Sequence, residues 1–489
     1  MRTFLPVVHL LGATMALFAF SMLVPLVVAF CEDDPTLGVY AFAFAITFAA
    51  GAILYLATRR TVKKAERELQ PRDGFLLVSL VWIVLPAFAT LPLLLLLPEL
   101  SFTDAYFETV SGLTTSGATT LSGLDAMSAA ILVWRCLLVW IGGMGILVLA
   151  VAILPMLGVG GSQMLKSETP GPMRDTRLTP RIAGTAKGLY GVYVGISLCC
   201  ALALKWAGMS WLDAFCHTGS IMGLGGFSTH DASFAYFDSV AIESVAVVFM
   251  TLAAINFATH FRAFRQRSLS AYAACPEARW VVAVMGAATL IVAFYLVRTG
   301  TYATFGTALR HALFNTVSIA TTTGFSSTDF GAWPVFAPVF MLFLSCFASS
   351  AGSTGGGIKM IRAILMLKQT SREMVRILHP KVVNPLRLGS EIIDNKVIFS
   401  MLAFMLVYGG TIIVLTVVLL FSGLDVVTAF TAVIACINNT GPGLNRVGPA
   451  ATYAVLNDFQ TWICIVAMVL GRLELFTVLV LFTPGFWRK

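Results

Sequence analysis

Long apolar stretches recur along the chain and restrict its fold more than any other feature. Each is at least as long as the roughly 20 residues that a helix needs to cross a bilayer. Only 11% of the residues are charged, against about 25% in ordinary globular domains. The sequence therefore predicts an all-α integral membrane protein and excludes a soluble one. Ten spans are predicted, at residues 6–30, 37–58, 75–98, 129–157, 184–207, 237–260, 279–298, 334–365, 396–421 and 452–482.

The basic residues are distributed unequally between the loops. If the amino terminus is cytoplasmic, the cytoplasmic segments contain 26 of the 32 Lys and Arg residues but only 9 of the 24 acidic residues. These segments are the two termini and loops 59–74, 158–187, 260–280 and 359–396. Basic residues concentrate on the cytoplasmic side of membrane proteins. We therefore expect both termini in the cytoplasm, and we attribute the net charge of +8 to topology, not to nucleic acid binding.

A short glycine motif recurs four times between the spans. Its copies are "TTSGATT", "GLGGFST", "TTTGFSS" and "NNTGPGL". The aligned glycines are separated by 109, 98 and 117 residues, and an alanine stands twelve residues before each of them. Regular spacing of a shared motif indicates an internal repeat. The four glycines are Gly117, Gly226, Gly324 and Gly441.

Each copy follows about a dozen apolar residues that lie between two full spans. Such a piece is too short to cross, so we interpret it as a re-entrant half-helix that returns as extended chain. Irregular backbone at membrane depth is tolerated where it lines a cavity or is buried in protein. Two crossings and one re-entrant loop return the chain to its starting side, so we expect four parallel repeats around an axis. The predicted units are an N-terminal two-helix domain, 1–70, and pore repeats 71–160, 161–265, 266–385 and 386–489.

Four extended strands around one axis suit a cation. Their backbone carbonyls can replace the hydration shell of an ion, and the motifs contain no charged side chain. Glycine adopts the dihedrals that turn carbonyls toward the axis, and each half-helix directs its partially negative carboxyl end at the pore. Hydroxyl groups beside the glycines add oxygens or brace the strands. A carbonyl cage suits a weakly hydrated monovalent ion better than Mg²⁺, which loses water reluctantly.

Several longer motifs resemble those of one superfamily. They include "FETVSGLTTSGAT", "WRCLLVWIGGMGILVLAVAILP", "SSAGSTGGGIK" and "GRLELFTVLVLFTP". Over nearly its whole length the chain resembles the Trk/Ktr/HKT superfamily of potassium transporters. The resemblance implies four M1–P–M2 repeats (a span, a pore loop and a second span, as in potassium channels) around a pseudo-four-fold pore, plus the extra N-terminal helix pair. It also implies potassium uptake across the bacterial inner membrane, with K⁺ as the transported ion and no bound cofactor.

The resemblance further implies partners. They are a second copy of the chain, membrane lipid, and a cytosolic TrkA-like regulatory ring that binds a nucleotide, NAD or ATP, and controls the gate. The basic cytoplasmic loops, especially from Arg362 to Arg387, are a candidate docking surface. Positive-inside charge alone is the competing explanation for them.

One filter glycine per repeat is implied by the resemblance, and the neighbouring residues complete the filter. The second loop departs from the family pattern, because similar proteins more often have Ser-Thr before Gly-Gly where this chain has Gly223 and Leu224. We expect any altered selectivity to originate there. The predicted potassium-binding residues are Thr114, Thr115, Ser116, Gly117, Leu224, Gly225, Gly226, Thr322, Thr323, Gly324, Asn439, Thr440 and Gly441.

The eighth span is interrupted by "SSAGSTGGGIK", Ser349–Lys359. Gly and Ser at this density melt a helix. A loop at the cytoplasmic end of the span is one interpretation, but apolar residues on both sides favour an intramembrane gating loop. A nucleotide P-loop is excluded because Ile358 precedes the lysine and no Ser or Thr follows it. The predicted gating residues are Ser349, Ser350, Gly352, Gly355, Gly356, Gly357, Lys359 and Arg472.

Arg472 lies deep inside span ten and Arg135 lies near the outer end of span four. Charges within spans are costly and usually face the bundle interior. We expect Arg472 to point into the pore below the filter, where it repels potassium or holds the gating loop through its carbonyls. An ion pair with Glu474 is the alternative, but residues two apart do not face each other on a helix. For Arg135, snorkelling or a structural pair with a half-helix competes with a direct role.

Other functions compete with potassium-selective uptake. The nearest is a sodium-permeable or weakly selective monovalent-cation transporter of the same superfamily, and the sequence does not separate passive flux from H⁺ or Na⁺ coupling. An intramembrane enzyme would need a catalytic dyad or metal cluster on facing spans, and we find none in the sequence. A purely structural subunit would not need four matched glycine loops.

Overall fold

The computed structural model describes residues 4–65, 70–148, 179–388 and 391–488. Most of them are helical, as predicted. The end of the fourth predicted span, 149–157, and most of loop 158–187 lie outside the described residues, and with them the predicted border between the first two repeats. The principal helices are Leu5–Cys31, Leu37–Ala65, Pro71–Leu96, Phe102–Leu113, Ala129–Val148, Thr179–Trp206, Trp211–Gly223, Val240–Ala253, Phe257–Gln266, Pro276–Arg298, Phe305–Ala320, Phe336–Ser345, Met360–Leu378, Asn395–Phe421, Val426–Ile437 and Asp458–Arg472.

Short elements complete the described chain. Three short helices, Ser270–Ala274, Phe476–Leu479 and Pro484–Trp487, lie between or after the long ones. Strands Arg387–Leu388 and Glu391–Ile392 pair antiparallel, with Arg387 opposite Ile392. This ribbon lies at the start of the predicted fourth repeat, just before helix Asn395–Phe421, and does not change the all-helical character of the fold.

Four copies of one unit follow the N-terminal helix pair. In each copy a long helix leads to a half-helix, an irregular strand leaves its carboxyl end, and a second helix follows. The half-helices have 12, 13, 16 and 12 residues and are too short to span a bilayer. The predicted fold of four M1–P–M2 repeats with an extra helix pair is therefore confirmed, while the residue limits of the repeats stay predictions. We number the half-helices 1 to 4, as Phe102–Leu113, Trp211–Gly223, Phe305–Ala320 and Val426–Ile437.

Every half-helix begins at a polar capping residue. The cap side chain accepts a hydrogen bond from the backbone N–H three residues further on, which satisfies a donor that has no partner within the helix. The cap stands 16 residues before the repeat's glycine in three repeats and 20 in the third, whose half-helix is one turn longer. The four caps, Ser101, Ser210, Thr304 and Asp425, thus define where each half-helix starts.

The sixth and tenth predicted spans are interrupted, which the sequence analysis did not foresee. Span six stops at Ala253 and its continuation turns by 95°, while span ten stops at Arg472 and its continuation turns by 105°. At the first break Asn256 accepts a hydrogen bond from the N–H of Ala258 at 2.8 Å and so starts a new helix. Within the described residues the chain has seven long apolar helices, or up to nine if each bent pair counts as one span. Span eight is broken where predicted, between Phe336–Ser345 and Met360–Leu378.

The N-terminal helix pair is held by a close approach of two glycines. A Cβ atom added to Gly51 would lie 2.5 Å from the backbone nitrogen of Ala16 and 2.8 Å from the carbonyl oxygen of Gly12. Small residues let helices pack at short distance in membranes, where van der Waals contact drives association. Near the glycines, the ring of His9 stacks on the ring of Tyr55, with the two ring centroids 4.3 Å apart. The two helices are therefore packed backbone to backbone.

We expect Gly51→Leu to destabilise this helix pair, because a side chain inserted at such a contact costs about 1–3 kcal/mol. Thermal unfolding of the purified protein in detergent would be measured, and the midpoint should fall. Gly38→Leu is the matched control on the same helix, since no atom lies within 4 Å of a Cβ added there. Equal unfolding midpoints for the two variants would contradict the close-packing interpretation.

Candidate functional site

The carboxyl ends of the four half-helices meet at one place, where the predicted filter loops lie against one another. We name these loops 1 to 4, residues 114–120, 223–229, 321–327 and 438–444. A Cβ atom added to any of the four filter glycines would lie closer than 3.0 Å to a carbonyl oxygen of the next loop. That carbonyl always belongs to the residue just before the neighbouring glycine. The pairs are Gly117 with Gly225, Gly226 with Thr323, Gly324 with Thr440, and Gly441 with Ser116.

These contacts run from loop 1 to 2, 3, 4 and back to 1, so the loops form a closed ring around one axis. We call this arrangement the filter ring. The filter glycines have φ between 45° and 95°, a range that glycine adopts without steric cost. Because any side chain there would occupy the space of a neighbouring carbonyl, the ring requires glycine at all four positions.

The same turn ends each half-helix. The residue two places before the glycine has a left-handed backbone, and the N–H of the following residue bonds to the carbonyl five residues earlier at 2.8–3.0 Å. Residues other than glycine in such strained conformations cost on the order of 1–3 kcal/mol each and persist only where packing holds them. The ring therefore stores strain in Thr115 (φ 55°), Leu224 (φ 56°), Thr322 (φ 64°) and Asn439 (φ 53°).

Side chains brace the loops unequally. In loop 1 the hydroxyls of Thr114 and Ser116 are hydrogen-bonded at 2.9 Å, and loop 3 has the same bond at 2.7 Å. Loop 2 has Gly223 and Gly225 at these two positions, and neither has a hydroxyl group. Loop 4 is braced by the amide of Asn438 instead, whose oxygen accepts a hydrogen bond from the Tyr408 hydroxyl at 2.6 Å. The departure that the sequence analysis identified in loop 2 thus removes a support that loops 1 and 3 possess.

On the side of the half-helix amino ends, all four filter glycines line one cavity of about 200 Å³, which we call the vestibule. Asp231 lies in its wall and accepts hydrogen bonds from the backbone N–H groups of Gly123 and Leu124 at 2.9 and 3.2 Å. Beside it, the hydrogen bond with His230 holds the pKa of the Asp125 carboxyl below its usual range. The acidic groups here are tied into the loops and contribute negative charge near the ring.

The predicted gating residues lie against the opposite side of the ring. We name residues 346–359 the gate loop. The hydroxyl of Thr354 donates to the carbonyl of Met222 at 2.9 Å, and the N–H of Gly356 donates to the hydroxyl of Thr322 at 2.9 Å. A Cβ atom on Gly356 would overlap the carbonyl oxygen of Asn438. The gate loop therefore touches the carboxyl ends of half-helices 2, 3 and 4, and its glycines make this close approach sterically possible.

Arg472 is the last residue of its helix and is only 3% exposed. Its guanidinium donates to the carbonyls of Thr354 at 2.9 Å and of Gly142 at 3.0 Å. Glu474, the partner considered from sequence, instead pairs with Arg362 at 2.6 Å. Arg472 thus brings a positive charge to the gate-loop side of the ring and links the loop to helix Ala129–Val148.

Glu277 is a residue of this region that sequence analysis missed. It is 1% exposed, and one of its carboxylate oxygens accepts the N–H groups of both Ala351 and Ile361 at 3.1 Å. One carboxylate therefore fastens both ends of the glycine-rich segment. Lys359, between them, adopts φ 79° and ψ 142°, a conformation that is strained for any residue except glycine. In the sequence, the signal for this role was a single acidic residue in the first turn of an apolar span.

A second missed feature is the position nine residues before each filter glycine. Glu108 accepts from the N–H of Thr120 at 3.0 Å, His217 bonds to the hydroxyl of Ser228 at 3.0 Å, and Asn315 accepts from the N–H of Ser327 at 3.2 Å. In the fourth repeat this position is Ala432, and the preceding Thr431 accepts from the N–H of Leu444 at 2.9 Å. Each half-helix thus holds its own returning strand. Aligning the repeats on their glycines would have revealed this offset.

Four parallel re-entrant loops in a closed ring define a pore-forming membrane transport protein. Residues 39–489 match the profile of the TrkH family, described as a cation transport protein, and the chain belongs to that family. This confirms the resemblance to the Trk/Ktr/HKT superfamily and identifies a transporter, not an enzyme.

Known relatives agree with this assignment. The chain is 45% identical to the Trk system potassium uptake protein TrkH of Halomonas elongata over 99% of both chains. It is 42% identical to the protein of the same name from Escherichia coli strain K12, over 99% of this chain and all of the relative. The crystal structure of the potassium transporter TrkH from Vibrio parahaemolyticus matches with a TM-score of 0.91 and 41% identity, covering 99% of this chain and 100% of that one.

We expect Glu277→Gln to loosen the gate loop, because a hydrogen bond to a charged acceptor contributes about 1.5–3 kcal/mol and a neutral one less. Hydrogen exchange of the amides of Ala351 and Ile361 would be followed by mass spectrometry and should become about ten-fold faster. Glu373→Gln, at a half-exposed ion pair with Arg376, is the control and should leave these amides unchanged. Unchanged exchange in Glu277→Gln would refute the fastening role.

Proposed function

We propose that the protein takes up potassium across the bacterial inner membrane through the filter ring. The closed ring carries this proposal, because one chain presents carbonyl oxygens of four loops to a common axis without any charged side chain in those loops. Such carbonyls can replace the water around a weakly hydrated cation. Relatives named potassium uptake proteins are 42–45% identical to this chain over nearly its whole length, which supports the choice of ion.

The proposed path begins in the vestibule, where the charges of Asp231 in its wall and of Asp125 beside it raise the local cation concentration. The ion then enters the ring and exchanges water for the carbonyls of the residues that precede the filter glycines. Four half-helices direct their partially negative carboxyl ends at this point, which favours a cation and disfavours an anion. K⁺ is the transported substrate, and the residues predicted as the filter carry it.

The gate loop closes this path in our proposal. It crosses the ring on the side away from the vestibule and is held there by Arg472 and Glu277. A positive charge below the filter also repels a cation in the pore, so Arg472 both obstructs the path and ties the loop. The strained backbone of Lys359 supports a loop with a second, relaxed arrangement in the open state.

We further propose that the vestibule faces the periplasm and that the gate loop and both termini face the cytoplasm. The concentration of Lys and Arg in the loops of that side supports this orientation. The regulatory partner is then a cytosolic TrkA-like nucleotide-binding ring, and the transporter is a homodimer. Helix Met360–Leu378, which follows the gate loop directly, carries Lys368, Arg372 and Arg376 and is the candidate docking element.

A weakly selective monovalent-cation transporter is the alternative, and one observation favours it. Loop 2 lacks the hydroxyl bond of loops 1 and 3, so its strand has fewer local constraints. Competition of rubidium uptake by potassium and by sodium in liposomes separates the two functions.

We expect Gly324→Ser to abolish selectivity, because the added side chain overlaps the carbonyl of Thr440 and displaces loop 4. Rubidium influx into liposomes would be competed with potassium and with sodium, and the preference for potassium should fall about ten-fold or more. Gly306→Ser in the same repeat is the control, since no atom lies within 4 Å of its Cβ. Wild-type selectivity in Gly324→Ser protein that still folds would exclude the filter assignment.

Arg472→Ala should raise basal flux several-fold in the absence of any regulatory subunit, because both the positive charge and the bond to Thr354 are lost. The measurement is initial rubidium influx into liposomes at equal protein content. Arg472→Lys keeps the charge but not the two-pronged hydrogen bonding, so an intermediate flux is expected. Arg446→Ala, at an exposed loop position in the same repeat, serves as the control. A lower flux in folded Arg472→Ala protein would count against a barrier role.

A further inference from the structure

A buried ion pair lies beside the filter ring. Its arginine, Arg135, is part of the wall of the vestibule, but the transport path proposed above gives the pair no role. Arg135 of helix Ala129–Val148 donates from Nε to Oε1 of Glu108 in half-helix 1 at 2.7 Å, and both side chains are 1% exposed. Burying two charges is costly and is compensated only when geometry and further hydrogen bonds are favourable. The remaining donors and acceptors of the pair therefore need partners of their own.

The pair bonds to two different filter loops. Glu108 accepts from the hydroxyl of Thr119 at 3.0 Å and from the N–H of Thr120 at 3.0 Å, both in loop 1. Arg135 donates to the carbonyl of Ser228 in loop 2 at 3.1 Å, and its guanidinium lies 4.4 Å from the ring centroid of Phe227. These strands begin directly after the first two filter glycines. The ion pair thus fixes loop 2 relative to loop 1.

The same helix face supports loop 2 over its whole length. Next to Arg135, the Sγ of Cys136 lies 3.7 Å from the carbonyl of Phe227. One turn further, a Cβ atom added to Gly223 or Gly225 would lie within 2.7 Å of Val139. Loop 2 has glycines there because the helix occupies the space that hydroxyl side chains fill in loops 1 and 3. Besides the bond from His217 of its own half-helix, loop 2 is therefore supported by the neighbouring repeat.

We propose that Glu108 and Arg135 are positioning residues that determine ion selectivity by holding loop 2 at the spacing the filter ring requires. The pair takes over the role of the hydroxyl bond that loop 2 lacks. Among the described braces nine or ten residues before a filter glycine, His217, Asn315 and Thr431 are neutral and bond within their own repeat. Arg135 is suited to contact both Glu108 and loop 2 because its planar guanidinium directs several donors at fixed angles, and the ammonium group of lysine does not.

This inference rests on the proposed potassium filter, and the test separates the two. Wild-type protein, Arg135→Lys and Glu108→Gln would be reconstituted in liposomes, and rubidium influx would be competed with potassium and with sodium. Losing a hydrogen bond to a charged group amounts to about a ten-fold change, so the potassium preference of Arg135→Lys should fall about ten-fold. Glu108→Gln keeps the size of the side chain and one acceptor oxygen for Arg135, but it loses the charge and the second acceptor. It should therefore show a smaller fall than Arg135→Lys.

The readout is the selectivity ratio, because a merely structural role would lower the amount of active protein without changing the ratio. Arg310→Lys is the matched control, since Arg310 forms a similar ion pair with Glu243 at 2.7 Å. Its ratio should remain that of the wild type. If Arg135→Lys does not fold, the ratio of Glu108→Gln still decides.

A wild-type ratio in every variant that folds would overturn the positioning role while leaving the filter intact. Wild-type protein without a preference for potassium would overturn the proposed function itself, and the inference with it.

Discussion

The rest of the structure depends on one contact. Each filter glycine lies against the carbonyl of the residue that precedes the filter glycine of the next loop. No side chain fits between these strands, so backbone atoms alone set the width of the ring. The close approach requires a sharp turn at the end of every half-helix, with one strained residue at each turn. Caps at one end of the half-helices and braces to the returning strands at the other hold these turns in place.

Four-fold equivalence holds for the backbone but not for the side chains. Loops 1 and 3 are braced by their own hydroxyls, loop 4 by an amide that reaches Tyr408, and loop 2 by the helix of the first repeat. A single chain can differ in this way because each repeat has its own sequence. The same freedom allows the gate loop to occur in the third repeat and Arg472 in the fourth, where both lie on the same side of the ring.

Filter ring and gate loop are in direct contact, which bears on how such a pore changes state. Gly356 touches loop 4 and donates to Thr322 of loop 3, while Thr354 bonds to the end of half-helix 2 and to Arg472. Displacing the gate loop therefore removes hydrogen bonds from the ends of half-helices 2 and 3 and the close contact with loop 4. If the gate loop moves as we propose, the environment of the filter ring changes with it, since buried polar groups need new partners.

The sequence by itself determined the membrane class, the parallel repeats, the four glycines, the half-helices and the break in span eight. These follow from composition, from apolar length and from local backbone preferences, which act along the chain. Tertiary structure alone decided that Arg135 pairs with Glu108, that Glu277 fastens the gate loop and which carbonyl of the gate loop Arg472 reaches. Tertiary structure also decided two breaks in the spans. After Ala253 a loop from another repeat packs against the chain, and after Arg472 an ion pair holds the chain. Such contacts join residues up to hundreds of positions apart, so no periodicity or local propensity encodes them.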